Sequence, residues 1–575
     1  MTFRPDLRLA LMLALVPLAG CGPADVEQNG IDRLRAQIAR GDTTATRLTL
    51  EQLAEDGVPQ AEYAAYAGEA ALARSDLAEA RNWLGGGVFS PATAGLGFRL
   101  LARLELREGN LDGGVEALER SREAAPDDPE LWVDIGRLRY RLGNHLAALE
   151  AADRAIELGP NNVEALRFKG QLARDGEGML PAAGWFAKAR EIAPMDVELR
   201  LEHAAALLDA GEIPQAIDLL YEIEIELPSA YYLKAVAAAR SGAYGAAREA
   251  LDRSGPVRSR SAAASLLSAI IDVERGALES AAQTLDLLAR EQPDNRRVHE
   301  LLAYVLLHNG AEEELVFRYA DKARGPLGSV WMRTLVGRAY EALDRRVEAA
   351  EFLDHAASTE PTLDLIPEAG NRGTSTLARR DEIRARLGGG DAAGGVQAAR
   401  RFAEDFSGSS DASALLGDAL LSSGDKVRAR DAYDRAARVR RTWPLVLRMA
   451  ATMDREAAAK LIAEYSAANP LNPEAAALAA DAMAASGDWR AAEGSLDRAL
   501  KNGMRDVPWA LAARSVVAGQ LGEDEGRGQL AWAIEAHETQ RMSAPAIAAL
   551  LDALPPGETA LRGELEAKLR AAAAR

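Results

Sequence analysis

Residues 129–162 read PELWVDIGRLRYRLGNHLAALEAADRAIELGPNN, and this stretch decides the fold. Trp132, Ile135, Leu138 and Leu142 recur at three- and four-residue spacing, which places them on one stripe of a helix. Gly136 is a small residue where a second helix must come close. Gly143-Asn144 signals a turn, because glycine takes the positive φ that ends a helix. A second helix then carries Ala148, Leu149, Ala152, Ala155 and Ile156 inward. Gly159-Pro160 stops it, since proline cannot continue a hydrogen-bonded turn. The stretch is a helical hairpin.

The hairpin recurs. The alanine that opens each second helix appears as Ala148, Ala182, Ala216, Ala247, Ala281, Ala349, Ala429, Ala458 and Ala492, at steps of 34, 34, 31, 34, 68, 80, 29 and 34. The closing prolines Pro126, Pro160, Pro194, Pro228, Pro293 and Pro361 give steps of 34, 34, 34, 65 and 68. Both series lose the same three residues, and the alanine series puts the deletion near Ser241–Ala247.

This register resembles the tetratricopeptide repeat, whose period is about 34 residues. The residues that carry the resemblance are Trp132, Gly136, Tyr140, Ala148, Ala155 and Pro160. It implies an all-α fold, a right-handed superhelical α-solenoid of roughly fourteen stacked helix-turn-helix units. In such a family the first helix of each unit lines a concave groove, and the groove is the working surface.

In chain order, residues 1–20 read as a lipoprotein signal peptide. Residues 21–60 hold a tether over Pro23–Asn29 and a degenerate first repeat. The main array runs over 61–363, with a loose joint near 254–261 (SGPVRSRS spans 254–261). The insertion DLIPEAGNRGTS, 364–375, links it to a second array over 376–540, and 541–575 ends in an amphipathic capping helix.

A chain of 575 residues exceeds one compact core, a limit that a repeat array escapes because each unit packs only on its neighbours. Hydrophobic residues make up 48% and aromatics only 5%, which suits close-packed Ala/Leu helices. The net charge of −19 argues against a general nucleic-acid binder. The one cysteine, Cys21, ends MTFRPDLRLALMLALVPLAGC, in which Arg4 and Arg8 precede a short apolar run. Leu18-Ala19-Gly20-Cys21 resembles a bacterial lipobox, which implies cleavage before Cys21 and its lipidation. Gly22 in the next place favours, by the same resemblance, the outer membrane.

The sequence contains no GxxxxGK[ST], HExxH or GxSxG, so no catalytic residue, metal or cofactor is expected. The six histidines are dispersed and expected to be partly exposed helix residues. Gly388-Gly389-Gly390 and Gly394-Gly395 read as a turn and a helix start rather than a phosphate cradle. The expected function is a non-enzymatic, periplasm-facing scaffold that binds other envelope proteins in exopolysaccharide export, appendage assembly or envelope biogenesis. The second reading is a binding module for an anionic polysaccharide. Both use the groove positions that the resemblance implies: Arg99, Arg103 and Arg107; Arg137, Tyr140 and Arg141; Arg167, Gln171 and Arg174. These form a basic strip, which either grips an anionic partner or pairs with Asp134, Asp175 and nearby glutamates.

The N-terminal reading makes a direct prediction. Cys21→Ser should move the protein from membranes to soluble periplasmic fractions and abolish labelling with a fatty-acid analogue; continued labelling of the variant would sink it.

Overall fold

The computed structural model describes residues 23–223, 227–255, 261–325, 328–358, 376–504, 508–522, 551, 554, 557 and 559–573. Among them every regular element is helical. The signal peptide, Cys21, the 364–375 insertion and residues 523–550 lie outside the described residues. The chain divides into two compact units, Met1–Ile135 and Gly136–Arg575.

The first unit holds three hairpins: α1 (Pro23–Ala39) with α2 (Thr43–Glu55), α3 (Gln60–Ala73) with α4 (Leu77–Leu84), and α5 (Ala94–Arg107) with α6 (Leu111–Ala124). α7 (Pro129–Arg141) begins in it. Pro23–Asn29, expected as a tether, is instead the start of α1, because proline at a first helical turn gives up an N–H that has no intrahelical partner. Leu34, Leu53 and Tyr63 form the core of the opening hairpins.

In the second unit α8 (His145–Leu158) follows α7. The next pairs are α9 (Val163–Gly176) with α10 (Met179–Ile192), α11 (Val197–Ala210) with α12 (Ile213–Tyr221), and α13 (Pro228–Arg240) with α14 (Tyr244–Arg253). They continue as α15 (Ala262–Glu274) with α16 (Leu278–Glu291), α17 (Arg296–His308) with α18 (Glu312–Arg324), and α19 (Val330–Ala342) with α20 (Arg346–Ser358). Beyond the insertion come α21 (Thr376–Gly388) with α22 (Ala392–Asp405), α23 (Ser410–Ser422) with α24 (Lys426–Ala437), α25 (Trp443–Ala451) with α26 (Arg455–Ala468), and α27 (Pro473–Ala485) with α28 (Trp489–Ala499). α29 (Pro508–Leu521) and α30 (Thr559–Ala573) end the described chain, and Leu565 of α30 is buried.

The periodic residues do what their spacing implies. Of the nine alanines, all but Ala458 are buried, and Leu315 and Gly395, both buried, stand where the alanine series skips a unit. At Gly136 a Cβ would lie 2.5 Å from the Phe168 ring, so only glycine lets the next unit come this close. Gly143 turns the chain at φ +79°, and the Asn144 side chain then accepts the Ala147 N–H to cap α8. Ser75 and Asp344 hold the same left-handed turn position at φ +60° and +57°, so the fold imposes that conformation even where glycine is missing.

Two local readings change. Leu142 is 54% exposed rather than on the buried stripe, because α7 ends at Arg141 and the next residue already belongs to the turn. The three-residue deletion falls before α13, not near Ser241–Ala247. α13 starts at Pro228, 31 residues after Val197 starts α11, and Pro228 opens α13 instead of closing the preceding helix.

The arrays on either side of the insertion meet edge to edge within the second unit. The turn after α7 lies on the turn before α23: the His145 and Leu146 N–H groups donate to the Gly408 carbonyl at 3.0 and 3.3 Å. Ser410 N–H donates to His145 Nδ1 at 3.4 Å. One repeat along, Arg441 N–H donates to the Asp175 carbonyl at 2.7 Å, and Gly176 faces the Arg438 carbonyl. Further along, α10 lies against α26, Gly178 abuts Ala468, and Gly211 abuts Leu471. Each bond completes a helix end: the unpaired donors at the start of α8 find a carbonyl, and a terminal carbonyl of α9 finds a donor.

A protease site inserted within 364–375 should therefore yield two fragments that co-elute in gel filtration. Gly408→Trp, which forces a side chain into Asn144, should let them separate. Fragments that part without that substitution would show that the edge contact does not hold.

Candidate partner-binding face

Successive first helices pack on one another, α3 on α5 in the first unit, α11 on α13 and α17 on α19 in the second. Side chains at the groove positions of one first helix therefore reach the next first helix, about one repeat later in sequence. The nine predicted groove residues lie along these helices, three in the first unit and six in the second.

In the first unit Arg99, whose side chain is 7% exposed, is paired with Glu130 and with Asp128 at 3.2 Å. Arg103 Nε donates to Asp134 at 2.7 Å, and Arg107 donates to the Leu72 carbonyl at 2.9 Å. Glu69 on α3 faces the same arginines, yet burial outweighs Arg99 and holds its carboxyl above the usual range.

The second unit repeats the scheme. Arg137 pairs with Glu164 at 2.9 Å, and the Tyr140 hydroxyl donates to Asp175 at 2.9 Å. Arg167 reaches Glu202 at 2.6 Å, Glu198 at 3.3 Å and Glu164 at 3.4 Å. Gln171 donates to Glu202 at 3.1 Å. Asp209 on α11 takes Arg174 from one side and Arg240 from the other, both at 3.3 Å. Arg141 is exposed.

The inter-repeat partners Glu130, Asp134, Tyr140's Asp175, Glu198, Glu202 and Asp209 stand 31 or 35 residues from the groups they bind, one repeat minus three or plus one. That stagger is the pitch of one helix face against the next. The predicted strip is thus a staggered ladder of guanidinium–carboxylate and hydroxyl–carboxylate contacts, not a bare basic surface. Partly exposed pairs of this kind stabilise by about 0–1 kcal/mol each, so their main effect is to fix side-chain positions.

Sequence reading missed a buried polar cluster. Asp418 on α23 is 4% exposed; the Tyr433 hydroxyl donates to it at 2.8 Å and Arg448 Nε lies 3.0 Å away. Burial, only partly offset by Arg448, raises the Asp418 carboxyl above its ordinary range. Burial likewise lowers Arg384 on α21, with Arg380 adding repulsion. The available signal was Gly417, whose missing side chain leaves the space that the Tyr433 ring fills. His203 and His299 also depart from the expected exposure, at 5% and 3%. Burial and then Arg190 push His203 down to about 4, and His299 bonds to Tyr319 and the Pro293 carbonyl. Among the described residues no cluster of His, Cys, Asp and Glu could hold a metal, and no helix is long and apolar enough to cross a membrane.

Asp418→Ala should strand the Tyr433 hydroxyl and Arg448 and cost about 3–5 kcal/mol. The loss should register as faster hydrogen exchange in α21–α26 while α15–α20 keep their protection. Uniform loss across both groups of helices would contradict local packing.

Residues 99–163, 133–197 and 380–444 match the family model of the tetratricopeptide repeat. No curated protein matches the chain in sequence. Among solved structures, PilW, a widely conserved type IV pilus biogenesis factor, is 19% identical with a TM-score of 0.31, over 36% of this chain and 96% of its own. A human IFIT1 dimer with m7Gppp-AAAA is 13% identical with a TM-score of 0.35, over 72% and 99%. A tetratricopeptide repeat protein from Parabacteroides merdae is 19% identical with a TM-score of 0.25, over 46% and 93%. Residues 99–197 and 380–444 thus carry tetratricopeptide repeats, and the chain is an all-α solenoid of the kind that serves as a scaffold for protein–protein interaction.

Proposed function

We propose that the protein is a lipid-anchored scaffold on the periplasmic side of a bacterial outer membrane, holding extended segments of partner proteins in an envelope assembly or secretion system. Exopolysaccharide export, appendage assembly and envelope biogenesis are the settings this reading covers. The observation that carries the interaction part is the ladder. Donors and acceptors on the first helices are held in place by one another, so the face is ordered before a partner arrives, and less freedom is lost on binding. An extended peptide offers both N–H and C=O groups to such a mixed face, and its acidic or basic side chains can enter the ladder at either sign. The anchor rests on the Leu18-Ala19-Gly20-Cys21 motif and its place after an apolar run. A polyanionic glycan is the weaker reading, because it would have to displace carboxylates from arginines that already hold two or three of them, as Arg167 does.

Photo-crosslinking separates these. A benzoylphenylalanine at Arg141 or Glu198 on first helices should give discrete protein adducts in envelope preparations. One at Phe317, 90% exposed on the second helix α18, should not. No adduct from the first-helix positions, or the same adducts from all three, would overturn the reading.

A further inference from the structure

One imidazole sits within the edge contact between the two arrays. His145 opens α8, donates its backbone N–H to the Gly408 carbonyl, and accepts the Ser410 N–H at Nδ1. Acceptance at Nδ1 requires an unprotonated nitrogen there, so the neutral ring carries its hydrogen on Nε2. The ring packs against Tyr140 with centroids 4.8 Å apart. The charged and titratable groups that face it come from four elements: Tyr140 on α7, Asp175 near the end of α9, Asp411 on α23, and Arg440 between α24 and α25. Arg440 bonds to Tyr140 and stands 3.6 Å from Asp411.

We propose that this edge contact is a proton-released latch: neutral His145 holds the array beyond the insertion onto the array before it, and a proton on His145 lets the edge open. Three effects act together in the closed form. A protonated Nδ1 can no longer accept the Ser410 N–H. The added cation lies beside Arg440. It also lies in the first turn of α8, where the helix dipole disfavours positive charge. Burial first, and then Arg440, lower the affinity of the ring for a proton below that of an exposed histidine, with Asp411 and Asp175 opposing.

Opening exposes the ring and returns it to an ordinary value of about 6.5, so opening takes up a proton. The closed form is fully held above that value. Below it, the closed-to-open ratio falls by up to about tenfold per pH unit, until the lowered value of the closed form is reached. The consequence is that the two arrays of the second unit are held edge to edge at neutral pH and part in mild acid. The inference concerns the edge alone and does not depend on which partner the first helices bind.

The test is hydrogen exchange on the full chain at about pH 7.5 and about pH 5, corrected for the intrinsic pH dependence of exchange. The reporting amides are His145, Leu146, Ser410 and Arg441, with the turn at Gly310-Ala311 as an internal reference outside the edge. Wild type should lose severalfold protection at the edge amides in acid and keep it at the reference. His145→Gln, which offers an acceptor that does not titrate, should keep edge protection at both pH values. Gly408→Trp should lose it at both and so identify the open form. Equal edge protection of wild type at the two pH values overturns the proposal, whatever the variants do. An acid loss that persists in His145→Gln also overturns it, and assigns the effect to Asp411 or Asp175.

Discussion

Helices of this protein meet through their smallest side chains. Ala148, Ala182, Ala216, Ala247, Ala281, Ala429 and Ala492 are fully buried where a second helix crosses the first, and Gly136 receives the edge of Phe168. A larger residue at such a point would hold two helices apart and, through them, the next hairpin. Interiors at native density tolerate little added volume. Where hairpins pack on their neighbours, a single spacing fixes the stack locally, and the 34-residue period is the trace that this spacing leaves in the sequence.

Charge is arranged around that stack rather than against it. The chain carries 87 acidic and 68 basic residues, and several of the acids bridge neighbouring first helices. Asp209 shows the logic: one carboxylate on α11 serves Arg174 behind it and Arg240 ahead of it. Such a bridge ties three consecutive first helices without burying an unpaired charge, and it orders the face on which partners are proposed to lie. Asp418 is the extreme case, a carboxylate taken almost out of water and kept there by a tyrosine hydroxyl and a guanidinium.

The edge between the arrays follows a different principle. Turns have no side-chain core to offer, but helix ends carry backbone groups with no partner of their own. The start of α8 and the end of α9 satisfy those groups with the Gly408 carbonyl and the Arg441 N–H. Glycines at 176, 178 and 408 let the backbones approach closely enough for this to happen. A long solenoid thereby gains contacts far apart in sequence, and with them a place where one titrating side chain acts on two groups of helices.

What the sequence determined by itself is everything that repeats. The hairpin, its turn at Gly143-Asn144, the buried alanines and the loss of three residues are written in spacing, because local helix geometry converts spacing directly into a face. The nine named positions came from the family resemblance rather than from spacing, and the residues do lie along the first helices. Their partners were not. Arg167 meets Glu202 because two helix faces are staggered by one residue beyond a repeat, a quantity set by how helices pack and not by either helix alone. The deletion was found but misplaced, since Pro228 can close one helix or open the next and only the packed chain chooses. The contact of His145 with Ser410, 265 residues apart, leaves no local pattern at all. It exists only once the turns of the two arrays are brought together, so the tertiary structure alone could decide it.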